Sequence, residues 1–353
     1  MSHLDILIPF GLPPAEISTD LLKQLKLPAL ATLTARAKSE SDTTRIEAFN
    51  DFSRALPHEI WLARQFGMDA HVKSDNSPPV ATALMQSFGL APEAGTWFVL
   101  QPVHIHIARD HLVLTDPRHL QLAEQDARAL FDIARPLFEE VGKDLVYGNA
   151  STWFVRADDW SELHTSTPDA AGGHNIDIWM PKGPGERDWR KVQNEVQMHW
   201  FDHSINAARE ASGLKPVNSI WLWGGAPAKV SSQGRYSQTF NLSGWHTAYG
   251  HLAPRQARDA NANDVLTANS EQGLLMLDDL LEPALSNDWS RWLESMHKLE
   301  DNWFAPLLQA LKTGKIARVS LVATNNSHAS RFTVTKASLR KFWVKPTLAT
   351  LCP

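Results

Sequence analysis

The sequence predicts an α/β fold, and three observations carry that expectation. Four short runs, 4–8, 219–223, 273–277 and 316–322, are apolar with little polar alternation, the pattern of strands covered on both faces. Between them lie segments with helical periodicity, the alternation of strand and helix that builds a parallel sheet. A composition of 43% hydrophobic and 21% charged residues over 353 positions supplies a core large enough for such a sheet. The four runs are therefore expected side by side in one mainly parallel sheet with helices on both faces and their ends along one edge.

Along the chain, 4–8 is the first strand and 20–38 a helix interrupted at Pro28. Short helices are expected over 47–55 and 59–66, then a loop over 74–79, SDNSPP. Residues 97–107 read as a strand in which Val103, His104, Ile105, His106 and Ile107 alternate. Asp110 and His111 turn it into a second strand, 112–115, as a hairpin. Residues 123–140 place Leu130, Ile133, Leu137 and Val141 near one face of an amphipathic helix kinked at Pro136. With a strand over 147–155, residues 116–189 are expected to form a smaller α+β lobe inserted in an α/β core of 1–115 and 190–345. The exit of that lobe, MPKGPGERDW, reads as a hinge. Residues 226–252, rich in Ser, Gly and Gln, read as exposed loop, and 289–312 as a long helix kinked near Pro306. Strands over 316–322 and 332–334 complete the pattern.

A net charge of −5 offers no electrostatic footprint for nucleic acid or an anionic membrane. No apolar run approaches membrane-spanning length, and the run 6–10 lacks the basic region and cleavage site of a signal peptide. The single cysteine, Cys352, excludes an internal disulfide framework and a thiolate metal cluster. A cytoplasmic protein without a cofactor is the expectation. The 14 tryptophans, scattered from Trp61 to Trp343, are expected mainly to fill cores.

The most informative stretch is 194–225, NEVQMHWFDHSINAAREASGLKPVNSIWLWGG. Residues 195–211 read as a helix that Gly213 ends in a left-handed conformation and Pro216 keeps from continuing. His203, Asn206 and Arg209 follow at intervals of three and share a face. Such a face holds a small phosphorylated or carboxylate ligand, because Arg offers a bidentate fork and Asn a neutral donor. The same residues, with Asp202, equally make a polar face or ion pair that fastens the helix to its neighbours. Gly224 and Gly225 leave bare backbone where the strand ending at Trp223 meets a loop. Asn206, Arg209, Asn218, Trp223, Gly224, Gly225 and His203 are thus the candidate ligand-binding residues. His104 and His106 have a His-x-His spacing that suits zinc, but no carboxylate or Cys completes the set, so a solvated strand face is preferred and no metal is assigned. No G-x-S-x-G elbow, P-loop or G-x-G-x-x-G occurs.

The order His203, Asn206, Arg209, Gly213, Pro216, Asn218, Trp221, Trp223, Gly224 resembles a signature of cofactor-independent phosphoglycerate mutases of the archaeal type, in the alkaline phosphatase superfamily. Over most of its length the chain is similar to RpfE-type regulatory proteins of proteobacteria, through LDILIPFGLPP, LPALATLTARAK, QPVHIHIARDHLVLTD and NEVQM. The resemblance implies an alkaline-phosphatase-like core sheet. In that superfamily two metal ions held by Asp and His at the ends of strands work with a Ser nucleophile, and this chain departs from the pattern four times. Phe10, before Gly11, stands where the first strand's metal-binding Asp belongs. Pro57, His58 and Glu59 stand in the nucleophile's context without a Ser, and the stretch from Asp278 to Glu282 lacks the His of an Asp-Glu-x-x-His motif. Asn325 and Asn326 replace a last Asp-His pair, and neutral amides are poor ligands for divalent transition metals.

The sequence thus points to a phosphoglycerate-mutase-like protein without metal and nucleophile residues, serving as a non-catalytic regulatory or small-anion-binding protein. An active metal-dependent mutase or phosphatase using Asp278, Asp279, His297, Asp301 and His328 is the first alternative. A protein-interaction module whose Trp-rich surface takes a protein partner is the second. Neither nucleic acid nor membrane is an expected partner.

Overall fold

The computed structural model describes residues 2–37, 53–68, 75–228, 234–268 and 270–352. In chain order the strands are β1 (His3–Ile8), β2 (Thr96–Val103), β3 (Ile105–Ala108), β4 (His111–Leu114), β5 (Asp144–Asn149) and β6 (Thr152–Arg156). They continue with β7 (Ser219–Pro227), β8 (Gln238–Phe240), β9 (Gln256–Ala257), β10 (Gln272–Met276), β11 (Arg318–Thr324) and β12 (Ala329–Thr335). The residues fall into two compact units, one drawn from 1–51, 56–66 and 233–353 and the other from 52–55 and 67–232. The protein is a mixed α/β structure.

The first unit is built on a mixed sheet of order β12-β11-β1-β10-β8-β9. β1 lies between β10 and β11, parallel to both, with Ile6 opposite Leu275 and Leu321. Only β12 runs antiparallel, joined to β11 by a tight turn. Three of the four apolar runs are therefore neighbours in one sheet, as expected. On one face Ile8, Leu321 and Phe332 meet Leu30 of the helix Pro28–Ala35, Met296 of the helix Trp289–Leu299, and Phe304. The expected long helix over 289–312 is interrupted by a π-helical turn, Glu300–Phe304, before the helix Ala305–Thr313. Pro306 cannot donate a backbone hydrogen bond, and the wider turn accommodates that loss.

The second unit holds an antiparallel sheet of order β5-β6-β2-β7 and the separate hairpin β3-β4. Here the fourth apolar run corrects the expectation. Residues 219–223 belong to β7, which runs antiparallel to β2 with Ser219 opposite Val103 and Pro227 opposite Thr96. Its unbroken apolar pattern reports cover on both faces, here by the helices Ala81–Ser87 and Glu186–Phe201, and carries no information about which strand it pairs with. Because β2 and β7 pair, residues 67–115 and 190–232 join this unit, which is larger than the 116–189 lobe read from the sequence.

Local differences have simple causes. Residues 147–155 are the hairpin β5-β6 rather than one strand, and 97–107 breaks after Val103 into β2 and β3. The 195–211 helix begins earlier and is two helices, Glu186–Phe201 and Ser204–Ala211, with the His203 ring accepting from the Ile205 N–H at 3.3 Å to cap the second. Gly213 is left-handed as expected, at φ 74°. Gly185 of the expected hinge, at φ 91°, is the N-cap of the first of these helices and lies within the second unit. Residues 226–252 include β8 and the helix Thr247–Leu252. Of the helix expected over 47–55, residues 47–52 lie outside the described residues and 53–55 are not helical. The tryptophans fill cores: Trp153 meets Trp200 edge-on at 5.9 Å, and Trp160 meets Trp189 at 5.7 Å.

Candidate functional site

In an open α/β sheet the carboxyl ends of the parallel strands form the edge where ligands bind. Here the chain leaves β1 at Phe10, β10 at Asp278 and β11 at Asn325, and these strands are neighbours. Phe10 is buried and left-handed, at φ 56°, which a bulky residue adopts only under constraint. That constraint comes from two hydrogen bonds: its N–H donates to Thr324 Oγ1 at 3.4 Å, and its carbonyl accepts from Trp292 Nε1 at 2.9 Å. The ring lies 6.2 Å from that of His58, and His58 lies 5.9 Å from His246. His246 stacks on Trp245 at 4.0 Å, and Trp245 adjoins Tyr249 at 6.0 Å. An aromatic line therefore occupies the edge. Burial, with Glu59 nearby, pushes the Tyr249 phenol well above its ordinary value, so it stays a neutral hydroxyl.

The polar groups at this edge have structural work. Asn325 is buried, and its Oδ1 accepts the N–H groups of Ser327 at 2.9 Å and His328 at 2.7 Å, closing the turn between β11 and β12. Asp278 accepts from the Ser243 hydroxyl. Glu59 accepts the Leu56 N–H at 2.7 Å at the start of the helix Pro57–Gln65. Among the described residues, no three His, Cys, Asp or Glu side chains gather closely enough to hold a metal ion. Asp278, Asp279, His297, Asp301 and His328 therefore do not assemble into a ligand set.

Sequence reasoning missed a second cluster. Asp5, in the middle of β1 and fully buried, meets His3 Nε2 at 3.0 Å, Arg331 Nη2 at 3.1 Å, Arg235 Nη2, and the Tyr236 hydroxyl at 2.7 Å. Burial alone would raise the Asp5 pKa, but the hydrogen bond from His3 and the charges of His3, Arg235 and Arg331 outweigh it and hold the carboxyl at about 2. The available signal was an acid inside the apolar run LDILI, since a carboxylate is rarely buried without partners.

The seven candidates on 203–225 all lie in the second unit, where each serves its own backbone or core. Arg209 is buried and donates through Nε to Lys215 O at 2.9 Å, through Nη1 to Gln121 O at 3.2 Å, and through Nη2 to Leu120 O. Asn206 donates to Trp200 O at 2.8 Å and Val217 O at 2.9 Å, and accepts the Val217 N–H at 2.8 Å. Asn218 exchanges two hydrogen bonds with the Ile105 backbone, at 2.7 and 2.8 Å, tying β3 to the start of β7. Trp223 Nε1 donates to Gln101 Oε1 at 3.0 Å. Gly224 is left-handed, at φ 71°, and its N–H donates to Ser77 Oγ at 2.8 Å. At Gly225 a Cβ would stand 2.4 Å from the Phe98 ring, so the bare backbone there admits a core side chain. His104 and His106 stack at 5.7 Å, each with Nδ1 engaged, to Pro216 O at 2.9 Å and Thr115 Oγ1 at 3.2 Å. Burial lowers the His104 pKa and favours its neutral form.

No protein-family model matches the chain. A 2,3-bisphosphoglycerate-independent phosphoglycerate mutase of Methanothrix thermoacetophila is 32% identical over 72 residues, 20% of this chain and 18% of the mutase. The match thus spans less than a fifth of that relative's length. A solved cofactor-independent phosphoglycerate mutase of Thermoplasma acidophilum superposes with a TM-score of 0.43 at 12% identity, covering 100% of this chain and 94% of the other. A protein of Pyrococcus horikoshii gives a TM-score of 0.48 at 11% identity, covering 94% and 86%. By its sequence the chain is distantly similar to cofactor-independent phosphoglycerate mutases.

Proposed function

We propose that the protein is a non-catalytic, regulatory relative of the cofactor-independent phosphoglycerate mutases, built on an alkaline-phosphatase-like sheet. The observation that carries this reading is the edge formed by β1, β10 and β11. The superfamily places metal-binding Asp and His side chains at such strand ends, and here Phe10 is a hydrocarbon ring in an aromatic line while the Asn325 amide closes a turn. A two-metal centre clamps the attacking and leaving oxygens of a phosphoryl transfer, and losing a ligand at each of two strands removes that clamp. The regulatory part of this proposal rests on the resemblance of LDILIPFGLPP, LPALATLTARAK, QPVHIHIARDHLVLTD and NEVQM to RpfE-type proteins. A small anionic ligand at Asn206 and Arg209 gains no support from the geometry, because their donors are spent on backbone carbonyls.

The test is a mutase and phosphatase assay of the full chain with 2- and 3-phosphoglycerate in the presence of magnesium, manganese, cobalt or zinc, beside elemental analysis. The expected result is turnover no greater than the metal-only control and no pair of tightly held divalent ions. Metal-dependent interconversion of the two phosphoglycerates would replace this reading with that of an active mutase.

A further inference from the structure

The net charge of −5 conceals a segregation. Residues 302–353 hold eight Lys and Arg and no Asp or Glu, which leaves 26 basic against 39 acidic residues, a balance of −13, on the other 301. Within this basic part, Ser338 and Leu351 are buried and pin the two ends of a loop over 339–350. Two hydrogen bonds fasten it further, from Arg36 Nη1 to Leu339 O at 3.1 Å and from Lys341 Nζ to Ala37 O at 3.1 Å. Between these pins Phe342 is 82% exposed and Trp343 69% exposed, their rings edge-on at 5.2 Å. All fourteen tryptophans are among the described residues, and Trp343 alone is exposed.

Cations flank this aromatic tip in sequence. Lys336, Arg340 and Lys345 are exposed in the flanking sequence. Arg318 begins β11 opposite Thr335, and Lys336 Nζ lies 3.7 Å from where a Cβ on Gly314 would stand, so Lys315 and the last turn of the helix Ala305–Thr313, which carries Lys312, belong to the same end of the β11-β12 hairpin.

We propose that this loop docks the protein on an anionic bilayer, with Phe342 and Trp343 entering the headgroup layer and the cations around them facing lipid phosphates. Neither signal suffices by itself: a small apolar insertion or a modest basic patch binds weakly and reversibly, and together they hold a protein at a surface. Tryptophan is the aromatic residue most at home at that depth, apolar in body and with one N–H for the wet side. The charge of the stretch itself fits an anionic partner, with eight basic residues and no acid between 302 and 353. A single-stranded nucleic acid calls for a basic groove with rings stacked as platforms, whereas this pair is edge-on at the tip of a pinned loop. Association is peripheral, since no described helix is long and apolar enough to cross a membrane. The inference does not rest on the loss of catalysis.

The experiment floats the full chain with vesicles of phosphatidylcholine alone or mixed with phosphatidylglycerol, at about 50 mM salt, where screening is weak. The protein should float with the anionic vesicles only. Phe342→Ala with Trp343→Ala should lower the partition coefficient at least about tenfold, and Lys336→Glu with Arg340→Glu and Lys345→Glu at least as far, since each basic residue at an anionic surface contributes roughly fivefold. All five side chains are exposed, so both variants should keep the wild-type circular dichroism; if one does not, Trp343→Ser and Lys345→Gln replace it. Absence of flotation with anionic vesicles, flotation unchanged in both variants, or loss of oligonucleotide binding in the variants without any vesicle binding would each overturn the proposal.

Discussion

Asp5 keeps its charge at full burial because His3, Arg235, Arg331 and the Tyr236 hydroxyl surround it, and the pH dependence of stability follows. Its folded pKa, about 2, is depressed from 3.8, so its contribution is complete above the unfolded value and is lost as pH falls from about 4 toward 2. The shift corresponds to about 2 kcal/mol at neutral pH. Asp5→Asn should lower unfolding free energy by roughly that amount or more, because two guanidinium groups lose their counterion, and should flatten the acid limb of the stability curve. An unchanged acid limb in chemical denaturation would show the cluster to be worth little. Arg209 makes the opposite point about inference from residue type. Arg209→Ala strands three carbonyls and should cost about 2–4 kcal/mol, read as a fall in melting temperature. Weakened phosphate binding at an unchanged melting temperature would restore the anion-site reading.

At the scale of elements, β7 shows why a Gly-Gly pair after a strand is ambiguous. Bare backbone serves a ligand, or it serves a neighbouring side chain, and here a Cβ at Gly225 would meet Phe98 while one at Gly224 would meet Val80 at 3.1 Å and Val99 at 3.2 Å. Gly225→Ala should therefore overpack the core by about 1–3 kcal/mol, measurable as a lower denaturation midpoint. A neutral substitution would mean that β2 and β7 can separate without loss. The π-helical turn has a comparable local reason. It brings the Glu300 carboxylate to the start of the helix Pro28–Ala35, where it accepts the Ala29 N–H at 2.5 Å and the Leu30 N–H at 3.0 Å. Both donors lack partners inside their own helix, so a side chain remote in sequence acts as the cap.

For the whole molecule, the two units differ in how the chain supplies them. The second is nearly continuous and has a core of its own, in which Phe98, Leu130, Trp153, Trp189 and Trp200 join. A fragment over 67–232 should unfold cooperatively and keep a near-ultraviolet circular dichroism signal from its tryptophans. A fragment with secondary structure but no such signal would show that this core needs the rest of the chain. The first unit is assembled from separated stretches and offers no comparable fragment.

Legible in the sequence were the strands at 4–8, 273–277 and 316–322, which are neighbours in one sheet with Phe10, Asp278 and Asn325 along one edge, while the hairpin at 147–155 and the strand and helix within 226–252 were not. Periodicity and apolarity are local properties, and they report burial wherever it occurs. The charge asymmetry that sets 302–353 apart was also legible, but only when charge is summed by segment instead of over the chain. Only the fold shows that 219–223 pairs with β2 and that Arg209 and Asn206 donate to backbone carbonyls. It also decided that Arg235 and Arg331 neutralise Asp5. The partnership of β7 with β2 and the arginine partners of Asp5 join groups more than a hundred residues apart, which no short stretch of sequence contains, whereas Trp200, Val217 and Lys215 lie close in sequence to Asn206 and Arg209 and only the folded backbone turns their carbonyls toward those side chains.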